Sequence, residues 1–188
     1  MKFGIAFGAV VLALAGSLSL SSPQAVASSD EIVAARQASM KAMAAAAKTI
    51  AEMFGGKRAY DAASFKAAAE ALSARTGPAL MAEFPAGTLG APSGAKAEID
   101  QARPEFEALA NHIGELADAL AAKAETAPAR ITGDMRMGAM TSMDGGSLLG
   151  KRLKTTQADP AGLPAEHLLH LILQDCSSCH SKFRQKVK

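Results

Sequence analysis

From Ser29 onward the apolar positions recur at helical spacing. Val33, Met40, Met43, Ala47, Ile50 and Phe54 fall on one stripe. They predict a first helix that starts near Ser29, a good N-cap, with Asp30 and Glu31 well placed against the helix dipole. Gly55 and Gly56 stop it. Arg36 lies on the same stripe, one turn before Met40, and a charge there demands a partner. A second helix is predicted after Asp61, in YDAASFKAAAEALSARTG, ending by Gly77, and the Pro- and Gly-rich loop FPAGTLGAPSGAK follows. The third helix is expected from roughly Ile99 to Glu125, with Pro104 near its start, where proline is best tolerated. Its buried face reads Phe106, Leu109, Ile113, Leu116 and Leu120. From Thr126 to about Leu163 the period dissolves, and so long a stretch is unusual for a connection inside a compact domain. It reads as an irregular insert, about 126–163, with room for a short helix. The fourth helix starts at Pro164 and carries Leu169, Ile172, Leu173, Cys176, Cys179, His180 and Phe183 down one side. No segment has a strand period. The expected fold is all-α: an antiparallel up-down-up-down four-helix bundle with a long insert between helices three and four.

The first residues change the picture of where this bundle works. Lys2 precedes an uncharged apolar run from Phe3 to about Leu20, and AVA at Ala25 to Ala27 is a small-residue cleavage signature. The run is barely long enough to span a bilayer. Residues 1–27 therefore read as a cleaved signal peptide and 28–188 as the exported, periplasmic bundle. No other segment is long and apolar enough to span a membrane. The formal charge of +2 falls to +1 once Lys2 is lost, and no basic stripe with interleaved aromatics is present, so nucleic acid is not an expected partner. Long Ala tracts, with no Trp and one Tyr, favour helix. Alanine buries little area per residue, so something else is expected to fill the interior.

The chemistry is concentrated in CSSCH, residues 176–180, which holds both cysteines of the chain. C-x-x-C-H is the attachment signature of c-type haem. Two thiols must reach the vinyl groups of one porphyrin while an imidazole reaches its iron. On a helix, positions i, i+3 and i+4 share a face, so Cys176, Cys179 and His180 project together. Other readings fit less well. Zinc needs about four ligands, a thioredoxin-like dithiol expects βαβ surroundings, and a disulfide closing so short a loop stabilises little.

In such a bundle the start of helix one lies beside the end of helix four. Met40 and His180 then both lie roughly 12–17 Å from the same end, one on each side of a disc between the helices. A thioether opposite a histidine raises an iron's potential. Met40 is otherwise a core residue like Met43, Met53 and Met81. His112, His167 and His170 could offer a second imidazole, but His167 and His170 lie more than two turns from His180, and all three read as solvent-facing or already satisfied.

CSSCHSKFR near the C-terminus, RQASMKAM in the first helix, YDAASFKAAAEAL opening the second and FPAGT…AKAEI before the third resemble the class II c-type cytochromes, the cytochrome c′ family. The resemblance implies one covalently attached haem c, held by Cys176 and Cys179, with His180 as proximal iron ligand. It implies that Arg36 and Arg184 lie in the vicinity of the haem propionates and that Met43 and Phe183 line the pocket. It places Met40 where low-spin, electron-transferring members carry a ligating methionine. High-spin members carry an apolar non-ligand there and leave a site for NO or CO. Two departures stand out: the insert exceeds the usual link, and Asp100 replaces a frequent tryptophan.

The expected function is a periplasmic monohaem electron carrier, not an enzyme, with iron held by His180 and Met40. The alternative is a gas-binding or sensing protein with five-coordinate haem. Expected partners are redox proteins, with the basic tail Lys182, Arg184, Lys186 and Lys188 suited to acidic ones; the protein is expected as a monomer or homodimer. Arg36 could instead reach solvent at the bundle end, the tail could instead complement the last helix's dipole, and the insert could cap the haem edge. MRMGAMTSM, Met135 to Met143, offers four thioethers that suit Cu(I), or a sticky loop.

Overall fold

The computed structural model of the chain describes residues 27–138 and 159–186. The expected signal peptide, apart from Ala27, and most of the insert lie outside the described residues. Four long helices form the bundle: α1 (Ser29–Phe54), α2 (Ala62–Ser73), α5 (Arg103–Glu125) and α6 (Ala165–Phe183). Two short helices, α3 (Pro78–Ala82) and α4 (Glu98–Gln101), lie between α2 and α5. Packing of α1 on α2, α2 on α5, α5 on α6 and α6 back on α1 closes the ring of an up-down-up-down bundle. No strand occurs among the described residues.

The ends of the helices differ from expectation in ways local chemistry explains. Ser28, one residue earlier than predicted, caps α1: its Oγ accepts from the Glu31 N–H, and the Glu31 carboxylate accepts from the Ser28 N–H at 2.7 Å. Asp61 caps α2 through the Ser64 N–H at 2.7 Å. α2 stops at Ser73, and Thr76 and Gly77 turn the chain into α3. Gly77, at φ +58°, donates to the Ala110 carbonyl of α5 and packs against Gly114. The single third helix expected from Ile99 is broken at Ala102, so that α4 and α5 are separate. Pro104 sits in the first turn of α5, as predicted. Pro164 caps α6 from outside the helix instead of beginning it.

Two apolar clusters share the interior. The larger packs Ile50, Met53 and Phe54 of α1 with Phe65 and Leu72 of α2, Leu116 and Leu120 of α5, and Leu168 and Ile172 of α6. The smaller, at the other end, gathers Leu80, Phe84, Ile99, Phe106, Cys179 and Phe183. The faces of α1 and α6 change character between these ends. Ala46 to Phe54 of α1 is well buried on its inner face, whereas Val33, Met40 and Met43 are only half-covered. On α6, Leu168, Leu169 and Ile172 are buried, Cys176 is half-covered and Leu173 is 43% exposed. The seam between α1 and α6 is packed far more sparsely than that between α5 and α6.

The described parts of the insert lie at the end remote from His180. Met135, in a 3-10 turn (Gly133–Met135), is buried in the larger cluster. The Arg136 Nη1 donates to the Phe54 carbonyl at 2.6 Å and reaches Glu166 Oε1 at 3.3 Å. The Met137 N–H donates to Glu166 Oε2. Glu166 is fourteen residues before His180, roughly 20 Å along the helix axis. In its described part, then, the insert closes the opposite end of the bundle and does not cap the haem-motif end.

Candidate haem site

The C-terminal half of α6 carries the candidate attachment residues. An uninterrupted helix from Ala165 to Phe183 puts Cys176, Cys179 and His180 on adjoining positions of one face, as the spacing requires. Both cysteines are free thiols; Cys179 is 8% exposed and Cys176 half-covered. Burial pushes the Cys179 thiol up to about 11, with Cys176 adding to the effect. Cys176 is raised by burial and then by Asp175. His180 is exposed as a residue, yet desolvation of its ring, helped by Arg184, holds its pKa below the ordinary histidine value. The shift favours the neutral imidazole, the form that can ligate a metal.

Across the seam, Met40 and Met43 of α1 pack as half-buried residues against the cluster that contains Cys179 and Phe183. The two helices thus bring the distal candidate, the pocket candidates and one attachment thiol together. Phe183 stands edge-on to Phe106 at 5.6 Å between ring centroids, and Phe106 meets Phe84 at 4.8 Å. The donor set suits a covalently held haem c: two protonated thiols, an imidazole and apolar side chains on both flanking helices. Among the described residues no group of three or more His, Cys, Asp or Glu is placed to hold a free metal ion.

Arg36 does more than its place on the stripe suggested. It is 4% exposed. Nε donates to the Glu83 carbonyl at 2.7 Å, Nη1 to the Thr88 carbonyl and Ser93 Oγ at 3.2 and 3.1 Å, and Nη2 to Thr88 Oγ1 at 2.6 Å. Its carbon also lies 4.3 Å from the Phe84 ring centroid. These bonds leave one of its five N–H groups. Its burial excludes snorkelling to solvent, and four of its N–H groups are engaged by the 83–93 segment. Burial lowers its pKa, opposed by Glu83. Burial also raises the Glu83 carboxyl, against the opposing effects of Ser39, Arg36 and Arg75. Arg184 ends α6, is exposed, and donates its N–H to the His180 carbonyl.

Sequence reasoning missed Thr88, Ser93 and Gln185, which lie in loops without a period; the buried charge of Arg36 was the one signal that partners existed. It also missed the 2.7 Å bond between His112 Nδ1 and Asp175 Oδ2, which ties α5 to α6 one residue before Cys176. His112 is engaged there. His167 is half-buried and His170 exposed, both in the first turns of α6. Of the four methionines from Met135 to Met143, Met135 is buried in the core and Met137 is 42% exposed. Met140 and Met143 lie outside the described residues.

No curated protein matches the chain. Solved structures do. A cytochrome c′ from Thermochromatium tepidum is 24% identical, with a TM-score of 0.59, over 86% of this chain and 100% of its own. A cytochrome c′ from Shewanella frigidimarina is 18% identical, with a TM-score of 0.60 over the same shares. A third, described as a cytochrome c′ with ligand-controlled dimer dissociation, is 21% identical, with a TM-score of 0.60 over the same shares. At these identities the likeness establishes the four-helix fold. The family model described as Cytochrome C′ matches residues 31–142, more than half of the chain, and the attachment motif follows beyond that stretch on α6. With that match, the fold and the C-x-x-C-H residues together, the chain belongs to the cytochrome c′ family, whose cofactor is a single covalently attached haem c.

Proposed function

We propose that the protein is an exported, periplasmic haem protein that binds a diatomic gas such as NO or CO, with His180 as its one axial protein ligand. The observation that carries this is the half-covered apolar seam in which Met40 and Met43 of α1 face the cluster of Cys179 and Phe183 on α6. Membership of the cytochrome c′ family supports the five-coordinate form. When bound, the haem supplies an iron that changes oxidation state by one electron and can accept a gas on its open side.

The residues act as follows. Cys176 and Cys179 anchor the cofactor to one helix, so that it cannot dissociate. The lowered pKa of His180 favours the form that offers a ring nitrogen. Met40, with Met43, excludes water from the opposite side, where an uncharged diatomic molecule can enter and a hydrated ion is disfavoured. No bond in a substrate is broken, which makes this a binder or carrier and not an enzyme.

A second reading is favoured by one specific residue. Met40 brings a thioether to the distal helix, and a sulfur ligand opposite His180 would make a low-spin, single-electron carrier. Optical spectra decide between the two. High-spin spectra and rapid CO uptake by the reduced protein support gas binding. A methionine–iron charge-transfer band in the oxidised protein, abolished in Met40→Ala, selects the carrier and overturns the first reading. Colourless protein from a host competent in haem attachment would overturn both.

A homodimer is the assembly we propose, since one similar structure is described as a dimer that dissociates under ligand control. Redox proteins with acidic docking faces are the proposed partners in either reading. Residues 1–27 are proposed as the cleaved signal peptide. No described helix is long and apolar enough to cross a membrane.

A further inference from the structure

The segment from Glu83 to Lys96 is a strap joined to both helices that flank the candidate haem site. On the α1 side its attachment is Arg36, through Glu83, Thr88 and Ser93. On the α6 side the Gln185 N–H donates to the Gly94 carbonyl at 2.9 Å, the Lys96 N–H to the Phe183 carbonyl at 2.9 Å, and Gln185 Nε2 to the Ser93 carbonyl at 3.0 Å. Lys96 Nζ adds a bond to the Lys182 carbonyl. Ser93 is the shared residue: its hydroxyl accepts from Arg36 and from the Ala95 N–H, and its carbonyl accepts from Gln185. It is 3% exposed. An aromatic path runs in parallel, from the Arg36 guanidinium over Phe84, to Phe106, to Phe183.

Arg36 lies one turn before Met40, and Gln185 five residues after His180. The strap is therefore a brace between the distal position and the proximal ligand, across a seam where α1 and α6 pack sparsely. Its strength rests on one charged group. A buried guanidinium donating to two carbonyls and two hydroxyls makes charge-assisted bonds, stronger than neutral ones, and its removal takes a partner from each of those acceptors.

We propose that Arg36 is a positioning residue: by clamping the 83–96 strap to α1 it fixes the His180-bearing end of α6 opposite Met40, and so sets the geometry on both sides of the haem. This rests on the proposed haem site, but not on which distal state the iron adopts. Two variants test it in the full-length holoprotein, Arg36→Gln and the strap-side double substitution Thr88→Val/Ser93→Ala. Hydrogen exchange at the Lys96 and Gln185 amides is expected to speed at least tenfold in both. The reduction potential and the CO association rate are expected to move in the same direction in both, and the triple variant to add little to Arg36→Gln, because the groups act as one unit. The idea is overturned if Arg36→Gln alters the pH profile of the potential while strap exchange and the strap-side variant stay as in the parent, which would mean direct pairing with the cofactor's carboxylates. It is equally overturned if both variants leave exchange unchanged. The exchange arm needs no cofactor, so colourless protein would count against the proposed function while that arm still decides on the brace.

Discussion

Cys179 is kept in its thiol form by its surroundings. Packed beside Phe183 and beneath α1, it carries a pKa pushed up to about 11, so thiolate is scarce at neutral pH. In protein made without haem, in a Cys176→Ser background that leaves burial as the cause of the shift, the alkylation rate at Cys179 is expected to climb about tenfold per pH unit and to keep rising well beyond the range of an ordinary thiol. A plateau near pH 8.5 would mean an ordinary, solvated thiol. Such a group resists adventitious disulfide formation and metal capture, which preserves it for attachment. Asp61 behaves in the opposite sense: its bond to Ser64 lowers its pKa. Its cap therefore stabilises fully above the carboxylate's unfolded pKa and is lost as pH falls through the folded value. The melting temperature of Asp61→Ala is expected below that of the parent at pH 7, with the gap closing in acid. At this scale the sequence was eloquent where a motif has fixed spacing, as in Cys176, Cys179 and His180. It showed that Arg36 needs a partner but not which, because the partners are a loop carbonyl, a threonine and a serine that no periodicity marks.

The four long helices were readable because Ala-rich tracts and apolar stripes agree over many residues, so boundaries moved by only a few positions. α3, the break at Ala102 and the strap were not, because they are set by tertiary contact. The Gly77–Gly114 approach is one such contact. A methyl group on Gly114 would stand 2.9 Å from the Gly77 Cα and 3.0 Å from its nitrogen, both backbone atoms that cannot swing aside. Gly114→Ala is expected to destabilise by roughly 1–3 kcal/mol through overpacking, despite alanine's better helix propensity; chemical denaturation would read it, and a neutral or stabilising effect would refute the close approach. Leu168 is fully buried where α6 meets the larger cluster, although the expected α6 face ran through Leu169, Ile172 and Leu173. Leu168→Ala is expected to cost about 2–5 kcal/mol. The uneven cover of the α1 and α6 faces could not have been foreseen, since Leu173 and Ile172 are equally apolar in the sequence and differ only in what lies against them.

Taken whole, the molecule has two ends with separate duties. One holds the attachment thiols, His180 and Met40; the other holds Phe54, Glu166 and the first residues of the insert. Arg136→Ala should therefore lower stability by roughly 1–2 kcal/mol, the scale of its two lost hydrogen bonds, and leave the haem spectrum untouched. A spectral change in that variant would show the ends to be coupled. The insert's length was legible in the sequence; its attachment was not, because Arg136 finds its carbonyl and carboxylate partners 82 and 30 residues away. This placement carries a consequence for the insert's length. Each doubling of a connection's length adds only about 0.6 kcal/mol of closure cost, and here the described start of the insert is held at Glu166, roughly 20 Å along α6 from His180. Changes in the length of this crossing are therefore expected to leave the surroundings of His180 as they are.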